Sequence, residues 1–352
     1  MNNVKTFFVG TYSTEGPYVP DAKGKGILSC YLDLETGVIQ EMHRYSDHIN
    51  STYLAKDEAG HLFAVCDNFV EEGEVRAFSI KKDSSLQLLS SRTTHGTSSC
   101  HVEYDLDNKR IFVSSYANGQ LSIHGFNGAF INPEPQLLNY KGRGPNSERQ
   151  EAAHIHQAVF SPNKRWLYTC DLGSDMIWLH DLSEEKLQVK IGIPTPAGCG
   201  PRHLICHPYL PLAYVLCELD ARLITYRIDS PTGMLEMISQ TDTLPLGFKG
   251  EPAGAAIRIH PSVKALYVSN RNHDSITVYS ISKNGKLKLR SNFSIRGKEP
   301  RDFNIDPTGQ WLLSANQKSH NIVAFRLDPD SGLPTGAIGS EYNCGTPVCI
   351  LF

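Results

Sequence analysis

Apolar residues recur along this chain in short alternating runs, and no stretch of three helical turns carries an amphipathic pattern. One unit reads clearly. An apolar run, Arg202–Cys206, meets the turn His207-Pro208, a second run follows at Ala213–Glu218, and a third, Leu223–Tyr226, ends in an aromatic residue. The second run recurs as Phe7–Tyr12, Leu62–Asp67, Ile111–Tyr116, Leu167–Leu172, Ala213–Glu218, Leu266–Arg271 and Leu312–Gln317. Turn formers such as Ser161-Pro162-Asn163, His260-Pro261-Ser262 and Asp306-Pro307-Thr308-Gly309 precede it, with proline presetting φ. A unit this short cannot close a core alone, so the copies must stack. Seven copies, each about fifty residues from the next, predict an all-β, seven-bladed β-propeller occupying residues 1–352 as one domain.

The ends of the chain add closure to this picture. The chain opens on what is a second strand, so the first blade lacks its innermost strand. The C-terminal Gly345-Thr346-Pro347-Val348-Cys349-Ile350-Leu351-Phe352 has the pattern of Gly200–Cys206. It is expected to pair beside Thr6–Gly10 and close the ring, removing the edges an open array would leave.

Composition narrows the function classes. A hydrophobic fraction of 40% supports a large core. With 34 Lys+Arg against 37 Asp+Glu and no run of like charge, neither nucleic acid nor an anionic membrane surface is an expected partner. No apolar run approaches membrane-spanning length. The segment Met1-Asn2-Asn3-Val4-Lys5 leads directly into a strand and does not read as a signal peptide. Nine cysteines, several inside apolar strands, read as reduced thiols, so a cytoplasmic protein is expected; separately, a monomer or weak homodimer is the expected state.

In a propeller blade the start of the first strand and the end of the second lie on one rim, near the central channel. Two rings of side chains follow from the repeat. One holds Thr52, Cys100, His156, Arg202, Ala255, Arg301 and Val348; the other holds Tyr12, Asp67, Tyr116, Leu172, Glu218, Arg271 and Gln317. Charge concentrates on blades four to seven, where His156, Arg202, Glu218, Arg271 and Arg301 converge. Three arginines against one glutamate favour an anionic ligand, although an interblade ion-pair network would use the same residues. His154 and His156 fall on one strand face, but beyond Glu218 no further ligand or Cys/His spacing completes a metal site, so no metal is expected. The loop Gly142–Gln150, with Arg149, reaches the same rim. Lys318 follows Gln317 and could meet a phosphate. No serine stands in a nucleophile motif, so water is the expected nucleophile for any hydrolysis.

Several motifs carry a family resemblance over essentially the whole chain. They are Val9-Gly10-Thr11-Tyr12, Gly144-Pro145-Asn146 leading through Arg149-Gln150 to His154-x-His156, and Phe160-Ser161-Pro162. Asp171-Leu172-Gly173-x-Asp175, Gly200-Pro201-Arg202-His203, Pro300-Arg301-x-Phe303 and Gly345-Thr346-Pro347 extend them. With these the chain resembles the propeller-type 6-phosphogluconolactonases, a family similar in turn to the fungal muconate lactonising enzymes. The resemblance implies that His156, Arg202, Glu218 and Arg271 form the shared polar site, with Arg301 and Gln317 matching the lactonase side. It further implies hydrolysis of 6-phosphoglucono-δ-lactone, a small-molecule sugar lactone of the pentose phosphate pathway, without a cofactor. Glu218 or His156 would accept the proton of water and Arg202 would stabilise the oxyanion. Arg271, Arg301 and Lys318 would bind phosphate, and Gln317, Arg149, His154 and His203 would complete the substrate contacts. Asn270 departs from the family, where an acidic residue often precedes the arginine. The rival readings are another lactone-opening or lactone-closing enzyme and a non-catalytic ligand-binding propeller.

Overall fold

A computed structural model describes residues 3–47 and 50–352. Residues 1–2, which open the N-terminal segment read above, lie outside the described residues. Among the described residues the regular structure is all strand, arranged as seven four-stranded antiparallel sheets. Among the described residues no helix is long and apolar enough to cross a membrane.

Blade one consists of Thr346–Leu351, Val4–Tyr12, Ile27–Asp33 and Ile39–Tyr45, in that order from the channel outward. The C-terminal strand therefore supplies the missing inner strand. Its partners are Phe8–Tyr12, with Phe8 opposite Leu351 and Tyr12 opposite Thr346, which is two residues later than the expected Thr6–Gly10. The shift is an even number of residues, so it keeps the same side chains inward: Val348, Cys349 and Ile350 sit at 1–2% exposure.

Because each sheet is apolar on both faces, neighbouring blades share their cores. Seven buried clusters each join two adjacent blades. Phe7, Leu28 and Ile350 of blade one pack with Trp311, Leu313 and Ile322 of blade seven, so the ring has no open joint. Buried tyrosines and tryptophans of the second strands also reach across these joints to the outer turn of the next blade. Tyr168 donates to the Gly233 carbonyl (2.9 Å), Tyr214 to Gly285 (2.7 Å) and Trp311 Nε1 to Leu34 (2.9 Å).

Two regular departures from ideal pairing set the channel mouth. Every second strand ends one residue before the ring position read from the sequence: at Cys66, Ser115, Asp171, Cys217, Asn270 and Asn316 in blades two to seven. The ring residue is held past the ladder by its own N–H. Glu218 N donates to Gly200 O (2.8 Å), Arg271 N to Ala253 O (2.9 Å) and Gln317 N to Glu299 O (2.9 Å). Gly200 adopts φ +62°, and a side chain there would also strike Leu219. Each inner strand also carries a bulge at its start, and the residue left out of the pairing is Thr52, Cys100, His156, Arg202, Arg301 or Val348; in blade six it is the pair Ala255-Ala256. A bulge re-aims the extra side chain, and here it turns the first ring into the channel.

Candidate active site

The bulged and overhanging residues enclose a pocket of about 440 Å³ at one channel mouth. Glu218 is its electrostatic centre. It is 5% exposed, and its two carboxylate oxygens meet three guanidiniums: Arg149 Nη2 on Oε1 at 2.6 Å, and Arg202 Nε (3.0 Å) and Arg271 Nη2 (2.8 Å) on Oε2. Burial pushes this carboxyl up, but Arg271, Arg202 and Arg149 together hold it well below the usual carboxylate range.

Arg202 is 2% exposed and fixed on three sides. Besides Glu218, its Nη1 donates to the Ala255 carbonyl and lies 3.3 Å from His203 Nε2. Burial, then the like charge of Arg271, bring its guanidinium down to about 10. His156 lies beside it, 5% exposed, and its Nδ1 has no partner. Burial and the Arg202 charge hold this imidazole well below its ordinary value, so it is neutral and offers an acceptor nitrogen.

The loops that present these groups are hydrogen-bonded. Asn146 accepts from the backbone of Gln150 (2.7 Å) and caps the turn that carries Arg149, while Gln150 Nε2 ties the loop to Leu172 O (2.9 Å). Asp175 accepts from Gly198 N (2.7 Å) and Gly200 N (2.8 Å), bracing the segment before Arg202. Asp274 does the same in blade six, accepting from Glu299 N at 2.7 Å. Asn270 turns into its blade, where its carboxamide is engaged by Thr243 and Thr277.

Of the residues singled out from the sequence, His156, Arg202, Glu218, Arg271, Arg301, Gln317, Lys318 and Arg149 line this pocket. His154 and His203 do not. His154 stacks on Tyr116 (4.3 Å, 5°) and bonds Tyr116 O at 2.9 Å, outside the pocket wall, whereas His156 meets the same ring edge-on from inside. His154 precedes the strand Ile155–Phe160, whereas His156 is the bulged residue within it, and of the two only His156 lines the pocket. His203 lies below Arg202 in the channel, 5.2 Å ring-to-ring from His156. Among the described residues no group of three His, Cys, Asp or Glu side chains is placed to hold a metal ion.

Three further carboxylates share the pocket with Glu218; the sequence placed Asp67 in the second ring without assigning it a role and did not point to Glu299 or Glu251. Glu299 pairs with Lys318 Nζ (3.1 Å) and lies 4.0 Å from Arg271 Nη1. Asp67 lies in the opposite wall with Tyr12 and Tyr18, and Glu251 stands at the rim. Five cations therefore meet four carboxylates, a far closer balance than three against one. Arg301 is the exception: it is in no ion pair among the described residues, and its guanidinium lies over the Tyr12 ring at 5.9 Å.

A closed seven-bladed propeller with a cation-rich, bulge-built pocket at one channel mouth defines the class of molecule. The chain belongs to the seven-bladed β-propeller lactonase family, whose model matches residues 6–352. It is 30% identical over 349 residues to the 6-phosphogluconolactonase of Bacillus subtilis, covering 98% of this chain and 97% of the relative. It is 32% identical over 337 residues to the 6-phosphogluconolactonase of Formosa agariphila, covering 92% and 93%. Among solved structures it is similar to the periplasmic gluconolactonase of Pseudomonas aeruginosa, with a TM-score of 0.89, 26% identity and coverage of 99% and 98%.

Proposed function

We propose that this protein hydrolyses a sugar lactone, 6-phosphoglucono-δ-lactone, to the open-chain acid. The observation that carries the reading is the juxtaposition of a neutral, buried His156 with an unpartnered nitrogen, the immobilised Arg202, and the unpaired guanidinium of Arg301. A lactone is an activated ester and needs only a positioned water, a proton acceptor and a stabilised oxyanion. His156 takes the proton as water attacks the carbonyl carbon. Arg202 faces the oxyanion that forms, already oriented by Glu218 and the Ala255 carbonyl, so little reorganisation is required. The ring carbon–oxygen bond then breaks, and the imidazolium returns its proton to the leaving oxygen. Glu218 is the poorer base, since three guanidiniums occupy its two oxygens; its part is to hold them in place. Arg301 takes the anionic phosphate. Nine unpaired thiols support a reducing, cytoplasmic setting.

An assay on freshly prepared 6-phosphogluconolactone, corrected for spontaneous ring opening, tests this. His156→Ala is expected to lower kcat by about 10²–10⁴, the usual worth of general-base help. Activity within a factor of three of the unaltered protein rules His156 out as the base. A second reading, an unphosphorylated aldonolactone, is favoured by Glu299, which already neutralises Lys318 and faces Arg271. Arg301→Met separates the two. It should erase a preference for the phosphorylated lactone if phosphate binds there, and leave the ratio of the two substrates unmoved otherwise.

A further inference from the structure

The pocket has two chemically different halves. Blades four to six bring His156, Arg202, Glu218 and Arg271, the groups assigned above to bond making and breaking. The opposite half comes from blades seven, one and two, and its lining includes two acceptor side chains, Asp67 and Gln317. Asp67 is 2% exposed; its Oδ2 accepts from Tyr18 OH (2.9 Å) and Tyr12 OH (3.3 Å), and its Oδ1 from Phe69 N (2.7 Å). Tyr18 OH also lies 3.0 Å from Ser98 Oγ. Gln317 is 6% exposed and lines the pocket, yet its Oε1 is buried with no hydrogen-bond partner. Arg301, from the same blade as Gln317, reaches over the Tyr12 ring and is in no ion pair among the described residues.

A buried carboxamide oxygen without a partner leaves its lost hydration uncompensated, so its persistence at a pocket wall points to an external donor. A carboxylate held by two phenols is a second acceptor, and it repels an anion. Acceptors of this kind match neutral O–H donors, and the adjacent guanidinium supplies the complementary donor to hydroxyl lone pairs. Vicinal hydroxyls present donor and acceptor side by side. We propose that this half of the pocket is a polyol subsite: Asp67 and Gln317 accept hydrogen bonds from the ring hydroxyls of an aldonolactone, selecting polyhydroxylated over plain lactones. The inference rests on the lactonase reading and adds which part of the substrate lies where. Burial raises the Asp67 carboxyl while Tyr18 and Arg301 oppose the rise, in keeping with an acceptor tuned between neutral and charged partners.

The test compares glucono-δ-lactone with δ-valerolactone, the same ring without hydroxyls, in the full-length protein carrying Asp67→Asn or Gln317→Met. Removing one hydrogen bond to a charged or buried group is expected to lower the ratio of kcat/KM for gluconolactone over valerolactone by about 10–100-fold. A ratio within twofold of the unaltered protein in both variants overturns the proposal. Gln317→Met removes an unsatisfied atom, so it keeps the test valid should Asp67→Asn fail to fold. Calorimetric titration with 6-phosphogluconate separates this inference from the reaction itself. A protein that opens no lactone sinks the hydrolase reading, while a tenfold or greater loss of 6-phosphogluconate affinity in the variants still supports the polyol wall. Unaltered affinity in both variants overturns it.

Discussion

Removing residues 346–352 yields a chain that no longer melts as one cooperative unit. The segment is the whole inner strand of blade one, and its loss acts on several layers at once. Val348 and Ile350 are 2% and 1% exposed, and their burial alone contributes about 3–6 kcal/mol. Cys349 leaves the joint between blades one and two, and Ile350 leaves the joint between blades seven and one. The backbone of Ile350 also serves two side chains of blade seven: its N–H donates to Asp302 Oδ2 (3.0 Å), and its carbonyl accepts from Asn304 Nδ2 (2.9 Å). Asp302 is the buried partner of Arg258 at 2.8 Å, so the loss reaches an ion pair whose stability depends on full hydrogen bonding. The sum rivals the entire stability of an ordinary domain, about 5–15 kcal/mol. It also bares the edge of Val4–Tyr12, an invitation to association. Calorimetry on the truncated and full chains decides the matter. A truncated protein with a single sharp transition within about 5 °C of the full chain would contradict ring closure as the source of cooperativity.

Blade count and closure were legible because both are written in local signals. Alternation marks the strands, His-Pro and Asp-Pro-Thr-Gly mark the corners, and the C-terminal run repeats the pattern of Gly200–Cys206. The ring positions were legible for a different reason: whatever the local geometry, the same offset in each repeat reaches the same place. What could not be read was why those side chains face the channel. The bulges at Cys100, His156, Arg202 and Arg301 exist only in the pairing of two strands, since one strand alone carries no trace of its partner's register. Glu299 escaped notice because it precedes its strand and is aimed by Asp274, a residue of the neighbouring blade. Lys318, read as a free cation for phosphate, is consequently engaged by a carboxylate the repeat did not point to. Asp67 and Tyr12 stood in the right ring but on the side that lacked a charge cluster, and charge was the feature used to find the site.

Acidification below pH 6 should unfold this protein steeply, ahead of the range in which ordinary carboxylates titrate. Five histidines, His101, His124, His156, His180 and His203, are each at most 5% exposed. Burial is the leading cause for all of them, bringing His101 down to about 3, His124 and His180 to about 4, and His156 and His203 well below 6.5. The geometry agrees. His101, His124, His156 and His203 each have a buried Nδ1 without a partner, and His180 Nε2 lies among the hydroxyls of Tyr140 and Thr169; only His156 feels a carboxylate, Glu218, which three guanidiniums already engage. A histidine whose folded value is depressed contributes stability that is present above the unfolded value, about 6.5, and is lost as pH falls toward the folded one. Each contributes about 1.4 kcal/mol per pH unit in that window. Glu103 works the other way. Burial raises it to about 7, so the folded chain holds a proton that the unfolded chain has released; Asp67 and Asp302 are raised in the same sense. After this offset the net slope is on the order of 3–5 kcal/mol per pH unit between about pH 6 and 4.5, against a total stability of about 5–15 kcal/mol. Urea midpoints measured from pH 7.5 to 4.5 report it directly. A stability that stays level from pH 7 to pH 5 would show that these imidazoles find compensation when charged, and the neutral state assigned to His156 in the reaction would fall with it.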